Sequence, residues 1–288
     1  MASAAGDEVQ KPVSLVASTR PLLGRDYREG EAQTFAMTAT NTDHRRSLSY
    51  QAQASGVVKK DATGKFTEEF AWSKLVVDGT DVPLFPPTMQ FRQILSLSPE
   101  HVITAPNPGA APQLLGPILD LMAIYADLQL ATRQHGLAMA GDRVFVKQGV
   151  PASWADGSFV VVGEDAMDLE LTLAELDLQA GVATLVVRHT PPTQLSITIP
   201  SAWMRAPVAD APNNWIQVQK SNDGRFLGQV GKETIEVQIK VNLVDGRILS
   251  ATMDNPVEVM ERECSDAALT ACGEPARYQI RRQIRIQS

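Results

Sequence analysis

The stretch IEVQIKVNLVDGRIL, residues 235–249, decides the fold class. Ile235, Val237, Ile239, Val241 and Leu243 share one parity, and Glu236, Gln238, Lys240 and Asn242 take the other. Successive side chains of an extended chain point to opposite faces, so this alternation predicts a strand with one apolar and one wet face. Asp245-Gly246 follows as a turn, because Asp and Gly tolerate the positive φ that type I′ hairpins demand. Hairpins join antiparallel neighbours, which favours a meander over βαβ crossovers.

The same pattern recurs along the chain. Phe66, Phe70 and Trp72 oppose Thr67, Glu69 and Ser73. Leu195, Ile197 and Ile199 alternate with Ser196 and Thr198. Ile280, Ile284 and Ile286 oppose Arg281, Gln283 and Arg285. Asp78-Gly79, Asp156-Gly157, Asp223-Gly224 and Thr63-Gly64 supply further turns. Leu169, Leu171 and Leu173 share a parity that Leu176 and Leu178 reverse, which predicts a bulge or bend near Ala174-Glu175. Bulges of this kind let a long sheet curl.

The middle of the chain differs. Eight of the 18 prolines lie between Pro83 and Pro117, so 83–117 reads as irregular connection with a short strand near Met89–Leu97. A connection this long is usually functional or packs on the body of the domain. One helix then follows over 117–135, with Pro117 at its first position and Gly136 just past its end. Ile118, Leu121, Met122, Tyr125 and Leu128 form its apolar stripe, widened by Leu119, Ala123, Ala126 and Leu130. Asp120, Asp127 and Gln134 mark a narrow polar seam. A helix this apolar is buried on several sides. Either a curved sheet wraps it, or it lies flat on a sheet under the proline-rich segment. The fold class is therefore mainly β: a long curved antiparallel sheet, a half-barrel-like meander, packed around one main α-helix. The expected organisation is a flexible segment over 1–20 and one β-rich domain over 21–288, or two β lobes divided near 112–140.

Composition sets the outer limits. The 288 residues are 44% apolar with a net charge of −7, enough for a sizeable core and unsuited to a general nucleic-acid binder. No run of about 18 apolar residues is free of charge, so no transmembrane segment is expected. The plainest use of the two cysteines, Cys264 and Cys272, is a disulfide closing a small loop, which places the chain in an oxidising compartment. The alternative is a pair of unlinked thiols in a cytosolic protein. Residues 1–11 hold no apolar signal core, but Ala2-Ser3-Ala4 has the small-x-small form of a cleavage site. The expectation is a periplasmic or extracellular bacterial protein whose signal has been removed.

Signatures of catalysis are missing. The four histidines, His44, His101, His135 and His189, form no H-E-x-x-H, and G-x-S-x-G, Walker and Rossmann motifs are absent. The Asp-Gly-Thr at 78–80 and Asp-Gly-Ser at 156–158 have the wrong letter order for an aspartic protease. Glu164, Asp165, Asp168 and Glu170 lack calcium-loop spacing and read as a solvated loop entering a strand. His135 suits a helix C-terminus. Arg281, Arg282 and Arg285 form the one basic patch, read as the charged face of an ordinary or edge strand, with a phosphate or acidic-partner site as the alternative. Trp72, Trp154, Trp203 and Trp215 are expected to pack in the core. No metal and no cofactor is expected.

The alternating strands at 235–243 and 193–199, the apolar helix 117–135 and the Asp245-Gly246 hairpin together give a layout that resembles two groups. One is bacterial exported proteins of uncharacterised function whose curved antiparallel sheet cradles a helix. The other is the half-barrel lipoprotein-carrier and mycobacterial lipid-binding lipoprotein families. The resemblance implies acyl-chain binding between sheet and helix. No lipidation cysteine stands near residue 1. The first functional expectation is accordingly a non-catalytic exported binding protein for a hydrophobic small molecule, with Met122, Tyr125 and Leu128 lining one wall. The second is a structural or protein-interaction module of the cell envelope. The third is an envelope hydrolase using Asp120, Asp127 or the acids from Glu164 to Glu170.

Overall fold

The protein is described by a computed structural model, which covers residues 20–104, 107, 111–148, 159–162, 167–190, 215–221, 223–266 and 269–288. The strands predicted at 193–199, the turn at Asp156-Gly157, and Trp154, Trp203, Glu164 and Asp165 lie outside the described residues, as does almost all of segment 1–20.

The N-terminal strands are β1 (Ala32–Thr42), β2 (Ser47–Lys60), β3 (Phe66–Val77) and β4 (Thr80–Asp81). A short helix α1 (Pro86–Gln90) and strand β5 (Gln93–Leu95) follow, then a 3₁₀ turn (Pro112–Leu114) running into helix α2 (Leu115–Thr132). The C-terminal half supplies β6 (Arg143–Gln148), β7 (Phe159–Val162), β8 (Met167–Asp177), β9 (Val182–Thr190) and β10 (Trp215–Lys220). It ends with β11 (Phe226–Glu233), β12 (Ile235–Asn242), β13 (Ile248–Cys264) and β14 (Ala276–Gln287). All pair antiparallel in one 14-stranded, open sheet of order β4-β3-β2-β1-β14-β13-β12-β9-β8-β6. The fold is mainly β, as the alternation predicts.

β13 is long enough to pair β12 along its first part and β11 along its second, so the sheet branches into β11, β10 and β7. Pro256 sits at that seam. Its carbonyl accepts from the Thr234 amide (3.3 Å), so the side on which it lacks an N–H faces the gap between β11 and β12. A proline is tolerated in this interior strand because the ladder changes partner there.

Tyr125 of α2 donates to Glu68 on β3, while Asp127, two residues on, meets His189 on β9 at 3.2 Å. β3 and β9 are six strand spacings apart, about 29 Å on a flat sheet at ~4.8 Å per spacing. Two helix residues a few ångströms apart touch both only because the sheet curls round the helix. Phe35, Phe70, Leu171, Leu185, Ile239 and Ile286 from all round the sheet join Leu121, Ile124 and Leu128 of the helix in one buried cluster.

Several local expectations hold and several shift. The β8 register slips between Leu173 and Glu175 against β9, where the leucine parity reverses. A second bulge sets Ser73 as the extra residue of β3, between the Gln53–Lys74 and Ala54–Trp72 pairs. The helix begins two residues before the expected Pro117, which is tolerated in the first turn because the N–H groups there have no intrahelical acceptor. It ends at Thr132, three residues short of the expected 135. The Arg133 and Gln134 amides reach back three residues to Leu130 and Ala131, tightening the exit before Gly136 at φ +104°. In place of a strand from Met89 to Leu97, helix α1 precedes a three-residue strand. Asp78-Gly79 alone among the described Asp-Gly turns has both residues at positive φ, as type I′ requires. At Asp245-Gly246 only the glycine does (φ +73°), and the β12–β13 hairpin closes through a wider loop in which the Gly246 amide donates to Asn242 O. β14 is interior, between β1 and β13, so its arginines do not protect an edge.

Candidate functional site

The helix carries its polar residues inward. Asp120 and Asp127 are buried, whereas Leu119, Ala123 and Ala126 lie on the exposed side. The sheet offers each carboxylate a partner. Arg282 on β14 donates to both Asp120 oxygens (2.6 and 2.8 Å), and the Tyr50 hydroxyl on β2 donates to the same carboxylate. Burial pushes the Asp120 carboxyl above its usual range, and Arg282 and Tyr50 pull it back. The Tyr50 hydroxyl is raised by its own burial and by Asp120.

A third contact anchors the middle of the helix. Tyr125 is fully buried with its ring edge-on to Phe35 and Phe70, and its hydroxyl donates to Glu68. Arg25 Nε lies 3.3 Å from the other Glu68 oxygen and Nη2 donates to Glu31 at 2.8 Å. Arg25 also donates to the carbonyls of Asp26 and Asp245, which ties residues 20–26 to the β12–β13 hairpin. Burial raises the Glu68 carboxyl, and Tyr125 and Arg25 only partly offset it.

The proline-rich connection packs on the same helix. Gln129 Nε2 donates to the carbonyls of Ser96, Ser98 and His101, and Arg133 donates to Pro99 and His101. A cavity of about 250 Å³ lies there, lined by His101, Val102, Asp127 and Arg133 among others.

A second cleft opens between the sheet and the N-terminal end of α2. It holds about 220 Å³ and is walled by Leu48, Leu75, Val77 and Pro117, with Tyr50 and Arg282 also lining it. Leu48 and Val77 are each 37% exposed at this cleft.

Of the residues expected to line a ligand wall, Tyr125 and Leu128 are enclosed by core side chains, and Met122 is half-buried against the same core. The sheet–helix space at the middle of the helix is thus packed with protein, and the open space lies toward the helix N-terminus. Of the acids considered for hydrolysis, Asp120 is bound to Arg282 and Tyr50, Asp127 to His189, and Glu170 approaches Arg143 at 3.4 Å. Among the described residues no three His, Cys, Asp or Glu side chains converge in a cation-holding group. The disulfide Cys264–Cys272 is formed and closes a turn in which Asp266 accepts from Thr270 and Ala271. Trp72 is buried in the core cluster.

Glu68, Arg25 and Tyr50 are absent from the residues singled out in the sequence, and Arg282 is singled out only as part of the basic patch. Two of them carry a readable signal. Glu68 shares the core-facing parity of Phe66, Phe70 and Trp72, and Arg282 shares that of Ile280, Ile284 and Ile286. A charge in the apolar register of a strand implies a buried partner. Nothing local identifies Arg25 or Tyr50, whose roles depend on contacts 43 and 70 residues away.

Compared with known proteins, the chain matches no family model, no curated protein and no solved structure. A disulfide is compatible with an extracellular or periplasmic setting. The segment Pro112–Thr132 is long and apolar enough to cross a membrane, but most of it is buried inside the protein, as a core helix would be.

Proposed function

We propose that this chain is a non-catalytic, exported binding protein that takes the end of an apolar, lipid-like ligand between sheet and helix. The observation that carries this reading is the cleft of about 220 Å³ at the N-terminal end of α2, with Leu48 and Val77 exposed at it. The cleft is smaller than the ~300–1,000 Å³ of a site that engulfs a whole ligand, so it suits one chain end. The site expected at Met122, Tyr125 and Leu128 moves along the helix to this opening. The resemblance to half-barrel lipid carriers belongs to the same reading and is supported by the curled open sheet around a helix. Export is supported by the disulfide.

The test is native mass spectrometry after incubation with dodecanoate. A one-to-one adduct is expected for the parent chain, and its loss in Leu48→Glu/Val77→Glu. A parent chain that retains no fatty acid overturns the reading.

A second reading, an envelope protein-interaction module, is favoured by the outward stripe Leu119, Ala123 and Ala126 on α2. An envelope protein captured by the parent chain and lost with Leu119→Lys would favour it over a lipid ligand.

A further inference from the structure

A further cavity is on the side of the sheet away from the helix. It holds about 460 Å³ across β1, β14, β13 and β12. A neighbouring groove of about 340 Å³ shares Asp254 and Arg281 with it and continues along β13 to Glu258. From Thr252 to Glu258 the pair runs about 20 Å at ~3.3 Å per residue. The twist of a long sheet makes each face concave along one diagonal, which shapes such a trough.

Pairing register dictates what the trough presents. Thr38 stands opposite Arg285, Arg285 opposite Thr252, and Thr252 opposite Gln238, one row across four strands. Two residues along, Thr40, Gln283, Asp254 and Glu236 form the next row. The charges of this second row are already matched. Arg281 holds Asp254 through two bonds of 2.7 and 2.9 Å, and Arg188 donates to Glu236 at 2.8 Å. Lys232 and Glu258 stand 3.9 Å apart at the far end. Among the described residues Arg285 makes no ion pair, so one uncompensated cation stands among hydroxyls and amides.

The floor restricts the occupant. β1, β14, β13 and β12 are each hydrogen-bonded on both sides, so their backbones have no free edge to add a peptide strand. Recognition here falls to side-chain hydroxyl, amide and guanidinium groups. We propose that this trough binds an extended acidic saccharide, a chain of sugar rings whose hydroxyls meet Thr38, Thr252, Gln238 and Gln283 and whose carboxylate meets Arg285. A guanidinium matches a carboxylate bidentately, which fixes the chain's register.

The test is calorimetric titration with hexagalacturonate and, in parallel, with its methyl ester, which keeps the hydroxyls and removes the charge. The parent chain is expected to bind the acid form, and the ester at least about tenfold more weakly. Arg285→Gln should weaken the acid form to a similar degree with an unchanged unfolding temperature, since the side chain is exposed. Arg92→Gln, outside the trough, should change nothing. Amide chemical-shift changes should fall on β1, β14, β13 and β12. No binding of the acid form, equal binding of acid and ester, or full affinity in Arg285→Gln would overturn the proposal.

Discussion

Replacing Arg25 by Met removes the cation beside a buried carboxylate while keeping most of the side-chain volume. The Arg25 side chain is 2% exposed and that of Glu68 3%, so water cannot take the arginine's place. Breaking a buried pair typically costs about 3–5 kcal/mol. Here protonation sets a ceiling. Glu68 escapes its unpaired charge by taking up a proton, at a cost of about 1.4 kcal/mol for each pH unit above an unfolded value near ~4.3. That ceiling is about 3.7 kcal/mol at pH 7 and about 1 kcal/mol at pH 5. Loss of the bonds to the Asp26 and Asp245 carbonyls adds roughly 1 kcal/mol at both. The sign follows from linkage. Burial already raises the Glu68 carboxyl in the folded chain, and losing Arg25 raises it further. Its contribution is therefore present below the unfolded value and is lost as pH rises toward the folded one. Urea unfolding followed by tryptophan fluorescence at pH 5, 6 and 7 should show the Arg25→Met deficit growing with pH. Arg25→Met/Glu68→Gln should abolish the growth. A deficit equal at pH 5 and pH 7 would refute the assignment of Arg25 as the counter-charge of Glu68.

Reduction of Cys264–Cys272, or Cys272→Ser, should cost about 2.5 kcal/mol by the chain-entropy relation for so short a loop, read as a lower urea midpoint. Gly246→Ala should destabilise by about 1–3 kcal/mol, because the added Cβ would lie 2.0 Å from Gly24 O at a φ of +73°. Amide exchange should then show residues 20–26 opening first. Tyr125→Phe leaves the Glu68 oxygen without its donor and should cost about 1–3 kcal/mol in thermal unfolding, with less of that loss at pH 5 than at pH 7.

The parts of this fold that can be read from sequence are those whose cause is local. Alternation over 235–243 is enforced by the two faces of a single strand, and the leucine parity change near Ala174 marks the bulge because one extra residue must flip every later side chain. The helix is legible for the same reason, to within a turn. What stayed hidden depends on distant partners. β14 joins β1 across more than two hundred residues, and no local pattern distinguishes an interior strand with an arginine-rich outer face from an edge strand. Asp120 and Asp127 are legible as hydrogen-bond acceptors, but not which residues they bond, because their partners, Arg282 and His189, lie 162 and 62 residues on. Tyr125 and Leu128 read equally well as a ligand wall or as packing. The closeness of Phe35 and Phe70 to Tyr125 is brought by a curl that no single strand encodes.

The place of β14 bears on how the protein is made. Residues 276–287 form the seam between the strands contributed by 32–81 and those contributed after residue 143. Until they leave the ribosome, or emerge on the far side of a membrane, β1 and β13 each present an unzipped margin. At about 5–20 residues per second of synthesis, that interval is on the order of ten seconds or more after β1 has emerged. A newborn chain of this design carries those open margins until residues 276–287 arrive to close them.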